Sequence, residues 1–257
     1  MRTPLLMLPF LAVAALAAEQ DFTWRGAVAA GQTLEVKGVN GNIRASAATG
    51  SQVEIHAVKR GRKSNPEEVT VEVIPHNGGI TVCAVYPTPA GKAPNECKPG
   101  DAGRMNVSNN DVSVAFEVRL PAGVKLIAKT VNGGIEASGL SGDVVAKTVN
   151  GRIEVAGSRN VEASTVNGGI TASMGETNWT GERKFSTVNG SISVELPDSA
   201  STEIHATTVN GGIHSDHALI VKGKISSRSL NATLGSGGRS LTLSTVNGSV
   251  NLNRRRS

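Results

Sequence analysis

Glu136 and Glu154 occupy the same place in two consecutive copies of one phrase, "NGGIEA" and "NGRIEV". If the copies stack, the two carboxylates become neighbours. A carboxylate pair on an outer face is the equipment of enzymes that cleave glycosidic bonds. Lys129, Lys147 and Arg152 fall in the same two copies. Together these five residues form the candidate contact face. The sharper reading is an acid pair working on a polysaccharide. The plainer one, which we prefer, is mutual surface pairing of the glutamates with the three cations.

Other reactive groups are sparse. His214 and His217 flank Asp216 in "HSDH", but residues three apart in an extended segment face opposite sides, so a shared metal would require a turn. We assign no metal, no cofactor and no catalytic residue. Cys83 and Cys97 are the two cysteines of the chain. Their spacing is not that of a redox or zinc motif, and an even count is read as a disulfide in an oxidising compartment. Closing a loop of about 15 residues contributes ~3 kcal/mol in the chain-entropy view. No nucleophile elbow, P-loop or dinucleotide fingerprint is present.

What positions these residues is repetition. "KTVNGGI" (129–135) returns as "KTVNGRI" (147–153), "STVNGGI" (164–170), "STVNGSI" (186–192), "TTVNGGI" (207–213) and "STVNGSV" (244–250). The threonines are 18, 17, 22, 21 and 37 residues apart. The long last interval is read as hiding a worn copy, "SLNATL" from Ser229. Partial copies stand upstream in "VNGNI" (39–43) and "HNGGI" (76–80). Repeats of this length signal a solenoid-type array.

Apolar residues alternate with polar ones on both sides of the phrase. Ala128, Ala146, Ala163, Phe185, Ala206 and Leu243 stand two before the threonine, and Ile135, Ile153, Ile170, Ile192, Ile213 and Val250 five after it. That is the period of strands. The Asn-Gly pairs (Asn132–Gly133, Asn150–Gly151, Asn167–Gly168, Asn189–Gly190, Asn210–Gly211, Asn247–Gly248) are read as corners, because both residues tolerate positive φ. Asn-Gly is also a hairpin signal. The odd offset between the apolar sets before and after the pair favours a corner over a meander. The fold class is therefore all-β: a single-chain parallel β-helix, or β-solenoid, of about 17–22-residue rungs, with stacked asparagines bonded along the axis. A flat array of exposed threonines would bind ice, and inward-facing threonines would not.

Three regions follow. Residues 1–17 read as a signal peptide: Arg2, an apolar run from Leu5 to Leu16, then small residues at Ala15 and Ala17. Residues 18–123 form an irregular β-rich part with the Cys83–Cys97 loop, and 124–257 the regular solenoid. Lys59–Lys63 reads as a solvated loop, and Arg254–Arg256 as a basic blunting of the final edge. Only 3% of residues are aromatic, whereas glycine numbers 30, which suits a thin repetitive core rather than one built on large rings. The formal net charge of +5 is too mild to argue for nucleic acid, and no second segment of spanning length implies a membrane anchor.

These features, chiefly "LPAGVKLIAKTVNGGIEASGLSGDVVAKTVNGRIEV" (120–155), its later copies, "TLEVKGVNGNI" and "GGITVCAVYP", resemble the bacterial exported putative-adhesin family with β-strand repeats over residues 30–253. The resemblance implies a parallel β-helix and export to the periplasm or cell surface, and it transfers no catalytic residues. The expected function is a non-enzymatic solenoid that binds an envelope or surface polymer or protein, or scaffolds it. The alternatives are a β-helix polysaccharide lyase or hydrolase, and a purely structural spacer.

Overall fold

The alternation read in the sequence becomes an in–out alternation in space. In the segment Ile135–Ser138, Ile135 and Ala137 are buried while Glu136 and Ser138 are exposed. The computed structural model describes residues 18–158, 160–175, 179, 181–223 and 226–255. The signal-peptide residues 1–17 and Arg256 lie outside the described residues.

Strands on the two sides of each Asn-Gly corner assemble into two sheets. The first runs β1 (Ala18–Ala27), β4 (Gln52–Gly61), β7 (Ser113–Leu120), β3 (Ile43–Ala47), β9 (Ile135–Ser138), β11 (Ile153–Ser158), β13 (Ile170–Met174), β15 (Ile192–Leu196), β21 (Val250–Arg254) and β17 (Ile213–Ser215). The second runs β18 (Ile220–Val221), β19 (Ser229–Leu234), β16 (Thr202–Asn210), β20 (Arg239–Asn247), β14 (Arg183–Ser186), β12 (Val161–Ser164), β10 (Val144–Lys147), β8 (Lys125–Lys129), β2 (Thr33–Lys37), β6 (Gly79–Val85) and β5 (Thr70–His76). The rungs pair in parallel and in register, Ile135 on Ile153 on Ile170 on Ile192 on Val250. The fold is a parallel β-solenoid. Its core is a thin file of those residues, each at most 1% exposed, facing Ala128, Ala146, Ala163, Phe185 and Leu243. Both sheets pass without a break from the N-terminal strands into the repeats, since β2 pairs with β8 and β3 with β9.

Four details depart from the sequence reading. The rungs do not stack in chain order: β20 and β21, from the last repeat, lie between the Thr187 rung and the Thr208 rung. "SLNATL" is not a stacked rung. It is β19, antiparallel to β16, and with β18 it covers that end of the second sheet. "HNGGI" is the turn of the antiparallel β5–β6 hairpin. Antiparallel strands thus sit at both ends of the second sheet, where a parallel stack would leave open edges. The basic tail does not blunt an edge either, because β21 is an internal strand and Arg254 pairs with Leu196.

The corners also work differently from the expectation. Among the described residues Asn109 is the sole non-glycine with positive φ, and of the six corner glycines only Gly248 has it (φ 156°), whereas Gly133, Gly151, Gly168, Gly190 and Gly211 do not. Glycine is needed there for proximity. A Cβ on Gly151, Gly168 or Gly190 would lie 1.9–2.0 Å from the carbonyl oxygen of the corner glycine one rung before. The asparagines bond along the axis as expected: Asn132 Nδ2 donates to Asn40 Oδ1, and Asn150, Asn167, Asn189, Asn247 and Asn210 continue the ladder at 2.7–2.8 Å.

The repeat threonines are buried, so they present no ice-binding array. Each donates its hydroxyl to the preceding corner glycine, as from Thr148 to Gly133 (2.9 Å), Thr165 to Gly151 (3.0 Å) and Thr245 to Gly190 (2.8 Å). Thr165→Val keeps the shape and deprives the Gly151 carbonyl of this donor. The expected loss is about 1–2 kcal/mol, read as a lower urea midpoint with an unchanged slope, while Val166→Thr on the exposed neighbour leaves the stability within about 0.5 kcal/mol.

Candidate functional site

The outer face of the first sheet carries the charge pattern. Because register fixes which side chains are neighbours, one row crosses the strands as Thr23, His56, Glu117, Arg44, Glu136, Glu154 and Thr171. A second row runs Arg25, Glu54, Arg119, Ser46 and Ser138. Between the rows lies an open groove of about 750 Å³ whose walls include Arg25, Arg44, Glu54, Arg119, Glu136 and Glu154.

Its ion pairs are solvated. Arg44 Nε meets Glu136 Oε2 at 2.9 Å, with both side chains more than half exposed, and the bond to Glu136 raises the Arg44 pKa. Glu54 is shared by Arg25 at 3.5 Å and Arg119 at 3.6 Å. His56 lies 3.1 Å from Asp21. Exposed pairs of this kind contribute little to stability, which leaves them free to exchange partners with a ligand.

The five residues proposed as one contact face do not share a face. Glu136 and Glu154 line the first-sheet groove. Lys129 and Lys147 are on β8 and β10 of the second sheet. Arg152 stands at the corner between them, exposed. The chain turns between Lys129 and Glu136, so residues that look adjacent in sequence emerge on opposite sheets. The expected Lys–Glu pairing is replaced by Arg44 for Glu136 and by Glu35 and Asp101 for Lys129. Arg44 was legible: it follows Ile43 as Glu136 follows Ile135, and the "VNGNI" copy puts it in the same column.

Lys129 belongs to a second cluster, centred on Glu35. This carboxylate is 2% exposed. It accepts from Thr81 Oγ1 (3.0 Å), the Gly100 backbone N–H (2.8 Å) and Lys129 Nζ (2.9 Å), with Lys37 Nζ at 3.8 Å. Lys37 also donates to the Lys98 carbonyl at 2.6 Å. Burial lowers the Lys37 pKa. Burial acts the same way on Lys129, but bonds to Asp101 and Glu35 outweigh it and leave that pKa raised. The cluster fastens the loop that follows Cys97, which the disulfide ties to Cys83 on β6, onto the second sheet. A cavity of about 590 Å³ remains between loop and corner, lined in part by Val39, Val131, Met105 and Val107.

The two histidines of "HSDH" go separate ways. His217 is buried, with Nε2 3.0 Å from the Asn253 carbonyl, whereas His214 is exposed on β17. Among the described residues no group of three His, Cys, Asp or Glu is placed to hold a metal, and no helix is long and apolar enough to cross a membrane.

Residues 31–253 match the Toastrack DUF4097 family. The chain belongs to the Toastrack family. As a Toastrack protein it is similar in structure to a putative cell adhesion protein from Clostridium sporogenes, at 15% identity and a TM-score of 0.48 over 92% of this chain and 100% of that one. It is also similar to a putative adhesin from Bacteroides fragilis (13% identity, TM-score 0.29) and a putative lipid binding protein from Parabacteroides distasonis (11%, TM-score 0.30), each over 92% of this chain and 97% of the other. No curated protein matches this Toastrack chain.

Proposed function

We propose that this Toastrack protein is an exported, non-enzymatic solenoid that binds a component of the bacterial envelope or surface through the charged groove on its first sheet. The observation that carries the reading is the groove itself: alternating arginines and glutamates on a rigid sheet, held in exposed pairs that a ligand can replace. A rigid face spends little conformational entropy on binding. The disulfide fits an oxidising compartment.

The test mixes the purified protein with isolated envelope polysaccharides and peptidoglycan. Protein is measured in the pellet, and new reducing or unsaturated ends in the supernatant. We expect retention without new ends, weakened at least fivefold by Arg44→Ala/Arg119→Ala and by raised salt. Retention indifferent to both would remove the groove from the reading.

A second reading has its own observation. Glu136 and Glu154 are in-register neighbours, about 4.8 Å apart along the sheet, close to the carboxylate separation of retaining glycosidases, about 5 Å. It requires new ends that Glu136→Gln or Glu154→Gln abolishes while the fold survives.

A further inference from the structure

One surface is unused by the groove and by the Glu35 cluster. The valine of each repeat points outward. Val131, Val149, Val166, Val188 and Val246 are each 38–39% exposed, and Val209 on the last rung 54%. Near-equal exposure means a straight stripe of apolar side chains, with the asparagine ladder running beside it. Each ladder carboxamide uses one N–H and one oxygen lone pair on its neighbours. An amide has two N–H donors and two lone pairs, so one of each is left per rung. At the head of the stripe the chain covers its own valine: Val39 is only partly exposed and lines the cavity with Met105 and Val107 of the loop that follows Cys97. Beyond Val131 nothing in the described chain covers it.

We infer that the valine–asparagine corner is a docking track for an extended, uncharged β-1,4-linked polysaccharide. Width, charge and repeat together select this occupant. Six valines on successive rungs span about 24 Å but stand one side chain wide. A folded partner needs about 800 Å² per side, which so narrow a stripe does not offer, whereas a single polymer strand fits it. Around the four rungs of Thr165, Thr187, Thr245 and Thr208 the flanking positions are Ser164, Ser186, Ser244 and Thr207 on one side and Gly169, Ser191, Ser249 and Gly212 on the other. No charge there compensates a charged polymer. The repeat is one rung, about 4.8 Å, whereas an extended peptide presents side chains to one face only every ~6.7 Å. A β-1,4-linked pyranose chain advances by about one rung per sugar. It would lay ring C–H groups on the valines and hydroxyl or acetamido groups against the free amide positions.

The test uses the purified protein with chitin and with cellulose as defined uncharged β-1,4-glycans. Pectate, amylose and an immobilised valine-rich peptide serve as competitors of other chemistry. We expect retention on chitin or cellulose that is insensitive to salt, and at least tenfold weaker for Val166→Lys/Val188→Lys. The isosteric Val166→Thr/Val188→Thr/Val246→Thr gives a smaller loss in the same direction and shows that the fold persists. No retention on either β-1,4-glycan would overturn the inference. So would retention that both valine variants leave unchanged, or retention confined to pectate, amylose or the peptide. Salt-sensitive retention abolished by Arg44→Ala would assign the binding to the first-sheet groove instead.

Discussion

Gly151→Ala is expected to destabilise the solenoid by about 3–5 kcal/mol, enough to unfold many proteins of ordinary stability. The new methyl would lie 1.9 Å from the Gly133 oxygen and 2.5 Å from its carbonyl carbon. Both are backbone atoms, so no side chain can swing away. Relief requires the two rungs to part by more than an ångström. That breaks the bond from Gly133 N–H to the Asn150 carbonyl (3.0 Å), the Thr148 hydroxyl bond to Gly133 (2.9 Å) and the Asn150–Asn132 ladder bond (2.8 Å). Three such bonds are worth about 1 kcal/mol each, and the loosened core adds the rest. The control is Gly50→Ala. Gly50 has open space around its would-be Cβ and no positive φ, so its melting temperature should stay level or rise slightly. Equal melting temperatures for the two variants would show that the rungs are not fixed by the corner glycines.

Glu35→Ala is the second large effect. Its carboxylate is surrounded by Lys129, Lys37, Thr81 and the Gly100 amide. Removing it strands two partly buried ammonium groups. Breaking a fully buried pair costs about 3–5 kcal/mol. The lysine side chains here are 19% and 23% exposed, and Lys129 retains Asp101, so a loss of about 2–3 kcal/mol is expected. The local signature matters more than the total. The Gly100 amide loses its acceptor and should exchange with deuterium at least tenfold faster, while Ile153 and Ile170 in the central rungs keep their protection. Glu35→Gln retains an acceptor oxygen and should fall between. Unchanged exchange at Gly100 would mean that the disulfide alone holds the loop.

The Thr-Val-Asn-Gly columns made the solenoid legible, because like residues stack on like and both flanks alternate with period two. The identity of the rungs hid their order. Thr208 and Thr245 carry nearly the same phrase, so either fits on the Thr187 rung, and the 37-residue interval reads as a gap to be filled by "SLNATL" when it is a detour. Positive φ was the reason read for the corner glycines, and Gly248 alone of the six has it; the spacing between rungs that excludes a Cβ is a property of two segments at once and leaves no mark on φ preferences. The contact face failed for a similar reason. Lys129 and Glu136 are separated by a corner whose angle decides which sheet each faces. Glu35 was passed over because, in "TLEVK", an acid on an alternating strand reads as a solvent-facing residue, and the loop that buries it comes from more than sixty residues away.

The exchanged order of the final rungs has a consequence for how the chain reaches this shape. A stack built in sequence order can close one coil at a time as the polypeptide emerges. Here the Thr187 rung bonds to Ser244, Asn247 and Ser249, and the Thr208 rung rests on Gly248 and Asn247. Residues 202–215 therefore have no floor until residues 239–254 have been made and slid in beneath them. The Thr208 rung is held open until β20 and β21 are in place, and those two strands are the piece that locks it.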